Sequence, residues 1–144
     1  MVEKWRMKAN ETKSVQVTFT LKKNTCPPVH LNNKQLTQTD DEKYLVIHLD
    51  RTLTWRKHIT TNRKQLDRKL RKLYWIIGRK SQLSLAKKLL MHKTILKPVW
   101  TCGVQLWGSA ANSNREILER FQPKVLRIIT DESWFVPNAV IIRD

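Results

Sequence analysis

Residues 55–78 read WRKHITTNRKQLDRKLRKLYWIIG. At about 100° per residue, Trp55, Ile59, Leu66, Leu70, Leu73 and Ile77 fall on one narrow arc, the apolar stripe of an amphipathic helix seated on a core. The opposite arc carries Lys57, Lys64, Arg68, Arg71 and Lys72, with Trp75 among them. Such a row of cations beside an aromatic, along roughly 25 Å of helix at a rise of about 1.5 Å per residue, suits a phosphate backbone and a surface for base stacking. A solvated helix face also carries Lys and Arg, but it usually mixes signs. This one scarcely does.

Charge is concentrated in the same region. From Trp55 to Lys97 there are 14 Lys or Arg against one acid, Asp67, so this segment holds +13 of the formal +16, while residues 1–55 sum to +3 and residues 98–144 to zero. A basic region between nearly neutral flanks is expected to meet a polyanion, either nucleic acid or an anionic membrane surface. Apolar residues make up 40% of the 144, six of them Trp, which excludes a wholly disordered chain and permits a sizeable core. No apolar run approaches the roughly 18 residues of a membrane span, and Met1 to Lys8 is charged without an apolar h-region. The chain is therefore expected to be soluble, intracellular and not secreted, without a membrane partner. Cys26 and Cys102 have no second Cys or His at ligand spacing, so reduced thiols are expected rather than a zinc site or a disulfide framework.

Taken in order, Met1 to Ala9 reads as the end of a helix whose earlier turns are missing, so the chain is expected to begin mid-domain. Val15, Val17 and Phe19 alternate with polar residues and predict a half-buried strand. Asn32 and Asn33, both tolerant of positive φ, predict a tight hairpin between Val29–Leu31 and Lys34–Leu36. Tyr44 to Leu49 predicts the next strand. Asp50 to Thr54 supplies a turn, with Thr52 or Thr54 as cap of the basic helix and Gly78 as its end. Ser84 predicts the cap of a second helix with Leu85, Leu89, Leu96 and Trp100 inward, continued by Gly103 and Trp107 and kinked by Pro98. Ser113 and Glu116 predict a capping box opening a third helix, with Ile117, Phe121, Val125 and Ile128 inward and Pro123 inside it. Strands followed by three helices make an α+β chain, with residues 1–52 forming a small antiparallel strand region and 53–144 a three-helix bundle.

Four stretches carry a resemblance: KWRMKANETKSVQVTFT (4–20), EKYLVIHLDRTLTWRKHI (42–59), LLMHKTILKPVWTCGVQLWGSA (89–110) and RFQPKVLRIITD (120–131). Together they closely resemble non-LTR, jockey-like retrotransposon reverse transcriptases, over essentially the whole chain and in the same order. The resemblance implies the end of a polymerase palm, a primer-gripping hairpin and a thumb-like bundle, and with them an RNA, DNA or hybrid partner and a nuclear location. It places Lys13, in the N-x-x-K-S pattern Asn10 to Ser14, near the phosphates of an incoming nucleotide, where an ammonium neutralises departing charge. It places Lys43, Tyr44, Leu45 and Val46 at the primer grip. The family has Gly at the position of Val46, and a helix-compatible residue at that of Pro123, whose ring would cost about 3 kcal/mol in a helix interior. Both departures read as decay.

Nucleotidyl transfer in this family uses two divalent metals held by aspartates, which the resemblance places upstream of the lysine pattern and outside this chain. Mg2+ and a dNTP substrate are therefore expected only for the full-length parent, and this chain alone is expected to be inactive. Asp40 with Asp41 reads as a solvated acidic turn, and His48 with Asp50 puts two ligand types on one strand face without a third. Two functions remain: a polymerase fragment that keeps the gripping elements without the catalytic aspartates, or a stand-alone basic module, derived from such an element, that binds RNA or DNA.

Overall fold

In the computed structural model, which describes residues 9–22, 26–133 and 135–143, the chain divides into two compact units, Met1–Thr54 and Trp55–Asp144. Among the described residues every strand lies in the first and every α-helix in the second, which is the α+β order expected. The helix end expected over Met1 to Ala9 lies, but for Ala9, outside the described residues.

The strands are β1 (Val15–Gln16), β2 (His30–Leu31), β3 (Lys34–Gln35), β4 (Thr37–Gln38), β5 (Asp41–Tyr44) and β6 (Ile47–Asp50). Alternation through Phe19 predicts a longer β1, but a strand also needs a ladder partner, and β4 offers only Thr37 and Gln38 in parallel register. Beyond it the chain is held by Thr20 N–H donating to the Arg51 carbonyl at 3.0 Å. The Gln16 side chain also donates to the Pro27 carbonyl at 3.2 Å and accepts from Val29 N–H at 3.0 Å. The Asn32–Asn33 hairpin is as expected, with φ of 50° and 64° joining antiparallel β2 and β3.

The single strand expected over Tyr44 to Leu49 is instead a hairpin tip. β5 and β6 pair antiparallel from Asp41 opposite Asp50 to Tyr44 opposite Ile47, which leaves Leu45 and Val46 as the two-residue turn. Leu45 carries φ 56° and Val46 no positive φ, the sign pattern of a type II′ turn, whose first central position normally takes Gly. The residue under strain is therefore Leu45, not Val46. A left-handed backbone costs a residue with a Cβ about 1–2 kcal/mol, so Leu45→Gly should raise the stability of this hairpin by roughly 0.5–1 kcal/mol after the entropy of Gly is subtracted. Val46→Gly should give none of that gain. Urea unfolding of both variants checks it, and equal effects would contradict the assignment.

Asp50 ends β6 with a carboxylate whose Oδ2 accepts from Thr52 Oγ1 at 3.2 Å and from Thr54 N–H and Oγ1 at 2.8 Å each. Both hydroxyls expected to cap the basic helix are engaged there. The cap position falls instead on Trp55, at φ 63° and without a side-chain cap bond.

The second unit holds α1 (Arg56–Ile77), α2 (Leu85–Met91), a π turn (His92–Leu96), α3 (Lys97–Thr101), α4 (Val104–Trp107), α5 (Asn112–Glu119), α6 (Phe121–Thr130) and α7 (Asn138–Arg143). The apolar stripe of α1 is buried at Trp55, Ile59, Leu66, Leu70 and Ile77 and half-buried at Leu73. It packs on the π turn, α3, α5 and α6, where Leu96, Leu118, Phe121 and Val125 are almost fully enclosed. Each such side chain stabilises by about 1.5–3 kcal/mol through burial.

Three helix expectations are corrected. Leu85 is exposed, and Lys88, His92 and Leu96 are the enclosed positions of the second helix, because Lys88 has a buried acceptor: its Nζ donates to the Gly78 carbonyl at 3.0 Å, closing the end of α1. The capping box at Ser113 and Glu116 does not form. The cap position is Ala111, and Glu116 pairs with Arg120 at 2.7 Å. The third helix breaks at Arg120, so Pro123 becomes the third residue of α6. There a backbone N–H would have no intrahelical acceptor, and Pro123 is buried without the interior penalty expected for it.

Candidate nucleic-acid interface

Lys57, Lys64, Arg68, Arg71 and Lys72 are all exposed on the outer face of α1. The last four make no ion pair among the described residues. The sign purity of this face has a structural cause that the sequence only hinted at. Asp67, the one acid of the basic region, is half-buried beside α6 and already paired: its carboxylate takes Arg63 Nε at 3.1 Å and Lys124 Nζ at 4.0 Å. Arg63 is spent on the core as well, with its guanidinium 5.0 Å from the Phe121 ring centroid and NH1 donating to the Ile117 carbonyl at 2.9 Å. What remains outward on this arc is cationic, and low-dielectric protein behind it strengthens its field.

Trp75 is 77% exposed at the end of the row and Tyr74 57% exposed beside it. Together with Gly78, Arg79 and Lys80 they rim a cavity of about 390 Å³. Arg79 is pinned by Asp131 at 2.8 Å. Tyr74 was missed in the sequence because it lies on neither arc. The buried His58 and Asn62, bonded Nε2 to Nδ2 at 3.0 Å, were missed too. Only their spacing of four residues, one helical turn, could have signalled the pair.

In the first unit, Lys43, Tyr44, Leu45 and Val46 come together, all exposed, at the β5–β6 tip. Lys13 is exposed on a separate element, the 3-10 turn Glu11–Lys13 that Asn10 caps through Thr12 N–H at 3.0 Å. The carboxylates do not fit a two-metal centre. Asp40 sits 83% exposed, 3.8 Å from Arg51, the Asp50 carboxylate is occupied by threonine donors, and no group of three His, Cys, Asp or Glu among the described residues could hold a metal ion. No helix among them is long and apolar enough to cross a membrane.

The chain has relatives among known proteins. Over 141 residues, 98% of the chain, it is 43% identical to the Probable RNA-directed DNA polymerase from transposon X-element of Drosophila melanogaster. It is 35% identical over 142 residues to the RNA-directed DNA polymerase from mobile element jockey of the same organism, and 32% over 144 residues to the Probable RNA-directed DNA polymerase from transposon BS. The chain is therefore homologous to a segment of the jockey-type non-LTR retrotransposon RNA-directed DNA polymerases. It spans 16% of the length of each of these three relatives. No protein-family model matches it, and no solved structure does.

Proposed function

We propose that the chain is a gripping segment of a retrotransposon RNA-directed DNA polymerase: α1 follows a nucleic-acid backbone with its outer cations, and the β5–β6 tip meets a second part of the same RNA, DNA or hybrid. The observation that carries this is the unmixed cationic face of α1, kept so by the pairing of Asp67 with Arg63 and Lys124. The helical unit would then act as a thumb, and dNTP binding, Mg2+ chemistry and transposition in the nucleus would be work of the whole polymerase. A stand-alone binding module is the second reading. The exposure of Val15, Phe19, Leu21 and Val29 at 42%, 49%, 86% and 49% favours the segment, since such apolar surface calls for a covering element.

Trp75 supplies the test of how the row ends. If an unpaired base stacks on it, Trp75→Ala should weaken single-stranded oligonucleotide binding by roughly 1–3 kcal/mol and blunt duplex binding much less. Fluorescence anisotropy with both ligands reads the difference. Equal losses would refute stacking and leave the phosphate grip to be judged by its salt dependence.

A further inference from the structure

Pro98 has no N–H and its ring clashes with the carbonyl four residues earlier, so an unbroken α ladder cannot run through it. The helix responds one turn before it: His92–Leu96 is a π turn, in which Lys97 N–H donates to the His92 carbonyl five residues back. In an α-helix, at about 3.6 residues per turn, positions 92 and 97 would stand about 140° apart. The π turn winds less per residue and brings Lys97 round to the side of His92, and turns of this kind are frequent at functional sites. Both residues line one cavity of about 350 Å³, with Lys93 beside them and Leu89, Leu126 and Ile141 as apolar walls. That is the lower end of the roughly 300–1,000 Å³ range of ligand pockets.

Three observations give this cavity a chemistry. No acidic residue among the described residues lines it. Lys93 and Lys97 are exposed and make no ion pair among the described residues. His92 is 5% exposed, and its Nε2 is buried without a hydrogen-bond partner, which leaves a polar atom unsatisfied against an apolar wall. Burial, then Lys97, then Lys93 hold the imidazole below its usual pKa, so the field of the two lysines reaches the ring.

We propose that this cavity binds a small amphipathic anion, its apolar body against Leu89, Leu126 and Ile141 and its carboxylate between Lys93 and Lys97, next to the His92 ring. This site is separate from the cationic face of α1 and does not rest on the nucleic-acid reading. Octanoate is the probe, titrated into the full chain while NMR follows the ring resonances of His92. Saturable shifts are expected at His92, with affinity at least about tenfold above that of butyrate, which lacks the body, and of octanol, which lacks the charge. Lys97→Gln, an exposed change that leaves the core alone, should weaken octanoate about tenfold, the cost of one charge-assisted contact. The proposal is overturned if octanol binds as well as octanoate, if butyrate does, if Lys97→Gln changes nothing, or if the only shifts fall on the outer cations of α1.

Discussion

Affinity of the chain for an oligonucleotide should fall steeply with salt, with a slope near −3 to −4 on a double-logarithmic plot. Each phosphate neutralised contributes about 0.7 to 0.9 to that slope through counterion release, and the outer face of α1 offers four or five cations. Arg68→Gln together with Arg71→Gln should make the slope shallower by about 1 to 2 and leave sequence preference unchanged, because phosphate contacts position and do not specify. Neither arginine touches the core, so fold loss is not a competing explanation. Arg63→Gln supplies the contrast: that guanidinium is committed to Asp67, Phe121 and Ile117, so its loss should lower the melting temperature without moving the slope. Binding indifferent to salt from low to physiological concentration would return the row to an ordinary solvated face.

The helix that carries this row was legible because its signal is periodic and long: α1 runs from Arg56 to Ile77, and the buried and exposed arcs fall where 3.6-residue spacing puts them. The Asn32–Asn33 turn was legible because those residues accept positive φ. The β5–β6 turn was not, since Leu45 and Val46 read as strand residues and the reversal is imposed by pairing across it. Nor was the role of Lys88, because nothing local distinguishes a lysine on a basic surface from one whose ammonium reaches a helix-end carbonyl ten residues earlier. Pro98 and Pro123 show the same limit from the other side. Each was read as an interruption of a helix. One is answered by a π turn, while the other marks the first turn of a new helix. Proline chemistry was legible, and the register that accommodates it was not. For the candidate interface, the cations and Trp75 could be found from spacing, whereas the pairing of Asp67 with Lys124 depends on α6, more than fifty residues away.

A single methyl group added at Gly78 should have a large effect on stability. Its φ of −71° and ψ of 176° are open to any residue, so the usual reason for a glycine at a helix end, a left-handed backbone, does not apply. The reason is space. A Cβ there would lie 2.5 Å from the Tyr74 carbonyl oxygen, closer than real contacts allow. That oxygen cannot yield alone, since it accepts Gly78 N–H at 2.8 Å, and the Gly78 carbonyl accepts Lys88 Nζ at 3.0 Å. Any shift is passed to Ile77, which is fully buried. Gly78→Ala should therefore destabilise by about 1–3 kcal/mol, the range for inserted bulk in a packed site. Lys88→Met should cost a similar amount, about 1–3 kcal/mol, by removing the charge-assisted bond to the Gly78 carbonyl, which then keeps only Ser81 N–H at 3.1 Å. Because both act on one junction, the double variant should cost less than the two singles added together. Thermal melts of the three variants check this. Full additivity would mean that the glycine and the lysine hold the end of α1 independently, and an unchanged melt for Gly78→Ala would mean that the close approach to Tyr74 does not constrain it.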